Sequence, residues 1–168
     1  MNKRILILST SPRKGGNSDL LCDEFMRGAA ESGNQVEKIS LKERKIGMCL
    51  GCDTCQSNGG TCVQKDDMAE ILEKMIAADV IVMATPVYFY SVSSQMKALI
   101  DRTAPRYTKI SGKEFYFIAT ASDQNPEMLE RTIECFRGFT DCLNDAAEKG
   151  VIYGAGVTKR VPSRAPSI

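Results

Sequence analysis

Apolar positions fall into two alternating patterns along the chain. Ile5, Leu6, Ile7 and Leu8 form an unbroken run, as expected of a strand covered by helices on both faces, and they predict a strand over 4–9. After a loop rich in Ser, Gly and Asn, Leu20, Leu21, Phe25 and Ala29 recur at the three- and four-residue spacing of an amphipathic helix. The alternation then repeats. Val36, Ile39 and Leu41 mark a weaker second strand, and Met68, Ile71, Leu72, Met75 and Ile76 mark a helix for which Asp67 and Glu70 look like a capping box. Residues 80–84 form a third apolar strand, Met96, Leu99, Ile100 and Thr103 a third helix, and residues 114–120 a fourth strand. Asn125 and Pro126 suit the first positions of a helix running through Leu143, and residues 151–153 supply a short fifth strand. Strands alternating with helices predict an α/β fold, a five-stranded parallel sheet covered on both faces, because right-handed crossovers place the helices there.

Composition narrows the function. The 168 residues, 43% hydrophobic and 26% charged, fit one compact domain. Residues 158–168 carry Lys159, Arg160, Arg164 and two prolines without amphipathic period, so the domain is assigned to 1–157 and the tail is expected to be disordered. With 22 basic and 21 acidic residues the formal charge is +1, which gives no electrostatic basis for a nucleic-acid or anionic-membrane partner. No apolar run approaches the roughly 20 residues of a bilayer span, and the start lacks a signal-peptide cleavage region, so a cytoplasmic location is expected. The chain has no histidine, which removes Ser-His and Cys-His nucleophilic pairs and histidine proton shuttles and weakens hydrolase readings. Its seven cysteines are better suited, in a reducing compartment, to metal or redox work than to structural disulfides.

Two loops carry the candidate chemistry of a phosphorylated, flat ligand. Ser9-Thr10-Ser11-Pro12-Arg13-Lys14-Gly15-Gly16-Asn17-Ser18 joins the first strand to the first helix. The unpaired N–H groups and positive dipole end of a helix start, joined by hydroxyls and an arginine, make a phosphate cradle. An ordinary turn with Ser18 as N-cap is the plainer reading of the loop alone. The segment lacks the Gly-Lys-Ser/Thr of a nucleotide loop and the spaced glycines of a dinucleotide fold, which disfavours ATP and a tightly bound NAD. The second loop, Thr85-Pro86-Val87-Tyr88-Phe89-Tyr90-Ser91, follows the third strand. In the strand order 2-1-3-4-5, the topological switch point lies between strands one and three, so both loops converge where ligands bind in open parallel sheets. Aromatics there suit a conjugated ring, and they equally suit a dimer interface.

The first loop, read as Ser-x-Ser-Pro-Arg-x-x-Gly-Asn-Ser with one extra residue, and Thr85-Pro86-Val87-Tyr88-Phe89 followed by Gln95-Met96-Lys97-Ala98-Leu99-Ile100-Asp101-Arg102 resemble the NAD(P)H-dependent FMN reductase and iron–sulfur flavoprotein group of the flavodoxin-like superfamily. The resemblance covers about residues 1–157 and implies a flavodoxin-like three-layer sandwich. It implies that Ser9, Ser11, Pro12, Arg13, Asn17 and Ser18 surround the FMN phosphate and ribityl chain, and that Pro86, Val87, Tyr88 and Phe89 line the isoalloxazine ring. Thr120, Ala121 and Ser122, after the fourth strand, border the ring by position. No side chain is assigned a catalytic role, since the flavin accepts hydride from NAD(P)H and passes electrons on. The acceptor is expected to be a small molecule or a ferredoxin-like protein, and the assembly a homodimer or homotetramer. Members of the group commonly continue into a final helix, whereas this chain ends in the tail at 158–168, for which a truncated or frame-shifted coding sequence is expected.

Cys49-x2-Cys52-x2-Cys55-x6-Cys62 lies in a loop with Gly51, Gly59 and Gly60. Four thiolates this close can surround one cluster or one tetrahedral metal, and the glycines permit tight turns. The set resembles the compact cysteine motif that ligates a [4Fe-4S] cluster in iron–sulfur flavoproteins, and Asp66-Asp67-Met68 also matches that group. It departs from the bacterial ferredoxin run, where x3 and a proline accompany the last cysteine. Zinc, a redox-active disulfide and free thiols stay open beside the cluster, although zinc usually takes two separated pairs. A flavin- or zinc-binding module without turnover is the non-enzymatic alternative. Cys22, Cys135 and Cys142 fall on helical stretches and are expected to be buried small apolar residues.

Overall fold

The computed structural model describes residues 2–158; the expectation for the tail lies, from residue 159 on, outside the described residues. Five strands, β1 (Arg4–Ser9), β2 (Gln35–Ser40), β3 (Val80–Pro86), β4 (Glu114–Thr120) and β5 (Ala147–Gly154), form one sheet in the order β2-β1-β3-β4-β5, every pair parallel. The α-helices are α1 (Asn17–Glu31), α2 (Thr54–Ser57), α3 (Met68–Ala77), α4 (Ser94–Asp101) and α5 (Glu130–Thr140). This is the expected flavodoxin-like architecture.

The strand period of two sorts the core into two layers. Leu6, Leu8, Ile81, Met83, Phe115 and Phe117 face α3, α4 and α5, where the Phe117 ring stacks on Phe136 with centroids 5.0 Å apart. Ile5, Ile7, Val80, Val82 and Ile118 face the other way, onto Leu21, Cys22, Phe25 and Met26 of α1. Three helices, α3, α4 and α5, therefore cover one face, and among the described residues α1 alone, the longest, covers the other.

Several boundaries differ from the sequence reading, each for a local reason. Leu41 leaves β2 and buries itself in a single 3-10 turn, Leu41–Glu43. The capping box does not form: the Asp67 carboxylate accepts from Lys45 N–H at 2.7 Å, Glu70 pairs with Lys74, and it is Asp66 that accepts from Met68 N–H. α4 stops at Asp101, and Thr103 closes the following turn through its hydroxyl to Ile100 C=O. Asn125 does cap Glu127 N–H, but Pro126–Leu129 is 3-10, and α5 ends at Thr140, with Leu143 buried in the turn beyond. β5 begins at Ala147 rather than at 151, because pairing with β4 through a bulge at Phe115/Tyr116 recruits polar residues that show no apolar alternation. No helix among the described residues is long and apolar enough to cross a membrane.

Candidate functional site

β1 stays paired with both β2 and β3 to its last residue, Ser9, and the loop after it is fixed to β3. Thr10 donates from both its N–H and its hydroxyl to Ala84 C=O, at 3.0 and 2.9 Å. Beyond Thr10, the Ser11 hydroxyl donates to Arg13 C=O at 2.8 Å and Gly16 N–H donates to the same oxygen, tightening the turn. Gly16, not Ser18, is the N-cap of α1, in an extended conformation. Ser18 is already helical. The third helical residue, Asp19, reaches back past the N-cap to accept from Gly15 N–H at 2.9 Å, while the N-cap N–H itself goes to Arg13 C=O. Burial works against the Asp19 charge, but Lys38 and the Gly15 N–H outweigh it and hold the carboxyl below its ordinary value. Asn17 and Ser18 at the start of the helix keep N–H groups that no intrahelical carbonyl can accept from.

The second wall comes from the loop after β3. Val87 N–H donates to Thr120 C=O at 2.8 Å, binding this loop to the end of β4, and Ser93 N–H donates to the Thr85 hydroxyl. Tyr88 and Ser91 exchange backbone hydrogen bonds across Phe89 and Tyr90, whose φ values of 50° and 58° are left-handed. Two successive left-handed residues make a type I′ turn, a conformation that favours Asn-Gly and is strained for aromatics. Phe89 is 101% exposed, and Arg131 lies over the Tyr90 ring at 5.6 Å.

Between these walls lies a polar cavity of about 240 Å³. It gathers eleven expected residues: Ser11, Pro12, Arg13, Asn17, Ser18, Pro86, Val87, Tyr88, Thr120, Ala121 and Ser122. Ser9 is not among its lining, being wholly buried with its hydroxyl toward Asp19, and Phe89 points into solvent. Val157 and Thr158 join the lining from beyond β5, a contribution without a sequence signal because it comes through backbone position. The Asn17 amide donates to Val157 C=O at 3.2 Å, while its Oδ1 is buried without any hydrogen-bond partner. A buried acceptor left without a donor is costly, and here it stands in the wall of a cavity that a hydroxylated ligand could fill. The residues present fit FMN: free N–H groups and hydroxyls for the phosphate, and an unpaired acceptor for a ribityl hydroxyl.

The four cysteines meet at a second cavity. Cys49, Cys52, Cys55 and Cys62 all line it, together with Arg102 at the end of α4, and it shares no lining residue with the first. Gly51, Gly59 and Gly60 each have positive φ, as does Asp53 between Cys52 and Cys55, so the backbone reverses direction repeatedly between the thiols. The Thr54 hydroxyl and N–H hold the Cys52 thiol below its ordinary value. All seven cysteines are free, and among the described residues no group of three or more Cys, Asp or Glu is drawn in closely enough to hold a single metal ion. An all-sulfur donor set around a small cavity fits an iron–sulfur cluster. Away from this loop, Cys22 is buried, and burial pushes its thiol up to about 12. Cys135 is half-buried and Cys142 exposed, correcting the expectation of burial. Both sulfurs turn back to donate to carbonyls four residues earlier, Arg131 and Gly138, and Cys135 also packs against the edge of the core and the Ser91 hydroxyl.

Comparison with known proteins gives the family and the fold. The family described as NADPH-dependent FMN reductase matches residues 3–137. An iron–sulfur flavoprotein of Methanocaldococcus jannaschii is 43% identical over 61% of this chain and 52% of its own length. A second from the same organism is 34% identical over 79% of this chain and 70% of its own length. The chain spans about half the length of most of the curated relatives it matches. In fold it is similar to an NAD(P)H:quinone oxidoreductase from Methanothermobacter marburgensis, with TM-score 0.69 and 17% identity over 97% of this chain and 87% of that one.

Proposed function

Because the chain belongs to the NADPH-dependent FMN reductase family, we propose that it is an FMN-dependent oxidoreductase, with residues 1–157 as the flavin domain, passing electrons from NAD(P)H to a small-molecule or ferredoxin-like acceptor. The single observation that carries this reading is the unpaired Asn17 Oδ1, buried in the wall of the cavity formed by the loops after β1, β3 and β4. Bound flavin supplies the chemistry, taking a hydride and releasing electrons singly or in pairs. The chain supplies position. Ser11, Asn17 and Ser18 hold the phosphate and the ribityl chain, with Arg13 at the mouth adding charge. Pro86, Val87 and Tyr88 on one side and Thr120, Ala121 and Ser122 on the other orient the ring. Ser9 acts from behind, through Asp19. Phe89, with Tyr88 and Tyr90, offers an exposed aromatic edge that a second copy of the chain would cover in a homo-oligomer.

Titration with FMN and riboflavin tests the reading. Purified protein should bind about one equivalent of FMN per chain, and much more tightly than riboflavin, because the loop is shaped for a phosphate. Arg13→Ala combined with Ser11→Ala should weaken FMN and leave riboflavin nearly unchanged. Equal loss for both would show that the loop does not read the phosphate.

A second reading is favoured by the four cysteines that line one cavity. In it, Cys49, Cys52, Cys55 and Cys62 ligate a [4Fe-4S] cluster that exchanges single electrons with the acceptor. Anaerobically reconstituted protein should then carry about four irons per chain with matching sulfide, and replacing any one cysteine should disturb the cluster far more than FMN affinity. Stoichiometric zinc with rejection of iron would end this reading.

A further inference from the structure

Arg102 is the one cation among the residues lining the cysteine cavity. It is 2% exposed. Its Nη1 donates to Asp66 Oδ2 at 2.7 Å and to Gly47 C=O at 2.9 Å, and its Nη2 donates to Asp66 Oδ1 at 2.9 Å. A guanidinium has five N–H donors in two forks. Asp66 takes the fork at the tip, and the side fork, formed by Nε–H and the outer N–H of Nη2, is left over. Nε is buried without a partner. A buried donor of a charged group without an acceptor is among the costlier defects a protein can carry, so its persistence asks for a ligand. Cys62 lines the same cavity as Arg102.

We propose that the free side fork of Arg102 donates to the Cys62 sulfur or an adjoining inorganic sulfur of the cluster, making Arg102 a positioning residue that holds the loop and sets the cluster's reduction potential. This rests on the cluster reading of the cysteine cavity. Four thiolates and four sulfides around four irons leave a net negative charge, and one-electron reduction adds another. A buried cation with two N–H donors stabilises the reduced state more than the oxidised one, and hydrogen bonds to sulfur and net charge are among the quantities that set such potentials. Asp101 and Asp53, which also line the cavity, act in the opposite sense. Asp66 orients the fork without cancelling it, because it occupies the other edge of the guanidinium.

The test uses the full chain, reconstituted anaerobically with iron and sulfide and loaded with FMN. Arg102→Lys keeps a positive charge for Asp66 but has no planar side fork. Arg102→Met with Asp66→Asn removes both charges together, so that no carboxylate is stranded. Iron and sulfide content, FMN affinity, and the cluster's midpoint in a dithionite titration followed by electron paramagnetic resonance are measured for all three proteins. Both variants should retain FMN affinity, which reports that they fold. In both, the cluster equilibrium should move tenfold or more toward the oxidised state, which for one electron is about 59 mV lower. Loss of iron from both, with FMN affinity intact, would equally support the holding role. Wild-type protein that carries a cluster, with both variants unchanged in iron and midpoint, overturns the role of Arg102 alone. Wild-type protein that takes up no iron overturns the cluster reading and this inference together.

Discussion

Gly16 has no room for a side chain. A Cβ there would stand 2.5 Å from the Ser11 hydroxyl and 3.2 Å from Arg13 C=O, while its φ of −71° is one any residue adopts. The cost of Gly16→Ala is therefore steric and local, and it falls on the hydrogen bond that tightens the phosphate turn. This variant should lose tenfold or more in FMN affinity while losing only about 1 kcal/mol of stability, as read by flavin fluorescence and urea denaturation. Asp66 gives the opposite expectation. Its pairing with buried Arg102 and with the N–H groups of Gly47 and Met68 means that Asp66→Asn strands a cation, at a cost of about 3 kcal/mol. The Arg102 hydrogen bonds hold the Asp66 carboxyl below the ordinary aspartate range. The stability it contributes is complete above that range and is lost as pH falls through the lowered value. Denaturation midpoints of wild type and Asp66→Asn should accordingly converge in acid and separate toward neutral pH. Most of the first cavity was legible in the sequence, because hydroxyls, arginine and asparagine at a strand-to-helix junction are chemically conspicuous. Arg102 was present in the Gln95–Arg102 motif without a role, since its partners Gly47 and Asp66 lie 55 and 36 residues away and only folding brings them together.

At the scale of elements, the turn after β3 stands out for strain. Phe89 contributes nothing to the core, yet both it and Tyr90 occupy left-handed backbone. Such residues cost of order 1 kcal/mol each and persist where the surroundings or a function require them. Phe89→Gly should leave thermal stability unchanged or raise it by up to about 1 kcal/mol, while weakening flavin binding, self-association or both. Melting curves and sedimentation with and without FMN would show it. A marked loss of stability would mean that the aromatic pair is structural. The strands that sequence pattern located best are β1, β3 and β4, whose residues are buried on both sides. β5 and the capping of α3 were misplaced, each for its own reason. An edge strand is half solvated and needs no apolar run, and a carboxylate at a helix start can be taken by any nearby N–H, here Lys45 instead of the helix itself.

On the scale of the whole molecule, the two cavities divide their dependence on the fold. The cysteine cavity is built from one long connection and the end of α4. The flavin cavity draws on the loops after β1, β3 and β4 and on the residues after β5, so that closing it ties four neighbouring chain segments together. A ligand that binds only the folded state stabilises it by mass action, about 2.7 kcal/mol at a hundredfold excess over Kd. FMN should raise the melting temperature accordingly, and riboflavin at equal concentration much less. The unequal layering described above gives this stabilisation a direction. Among the described residues, the helix whose first turn opens onto the flavin cavity is also the sole roof over one side of the sheet, so fraying of its start and exposure of the core beneath are a single opening event. Native proteins breathe in such cooperative patches, and ligands slow the patch they touch. In hydrogen–deuterium exchange, FMN should slow amides throughout Asn17–Glu31, its far end included, while the helices on the opposite side exchange as before. Protection confined to the first turn would show that the roof and the binding loop open independently.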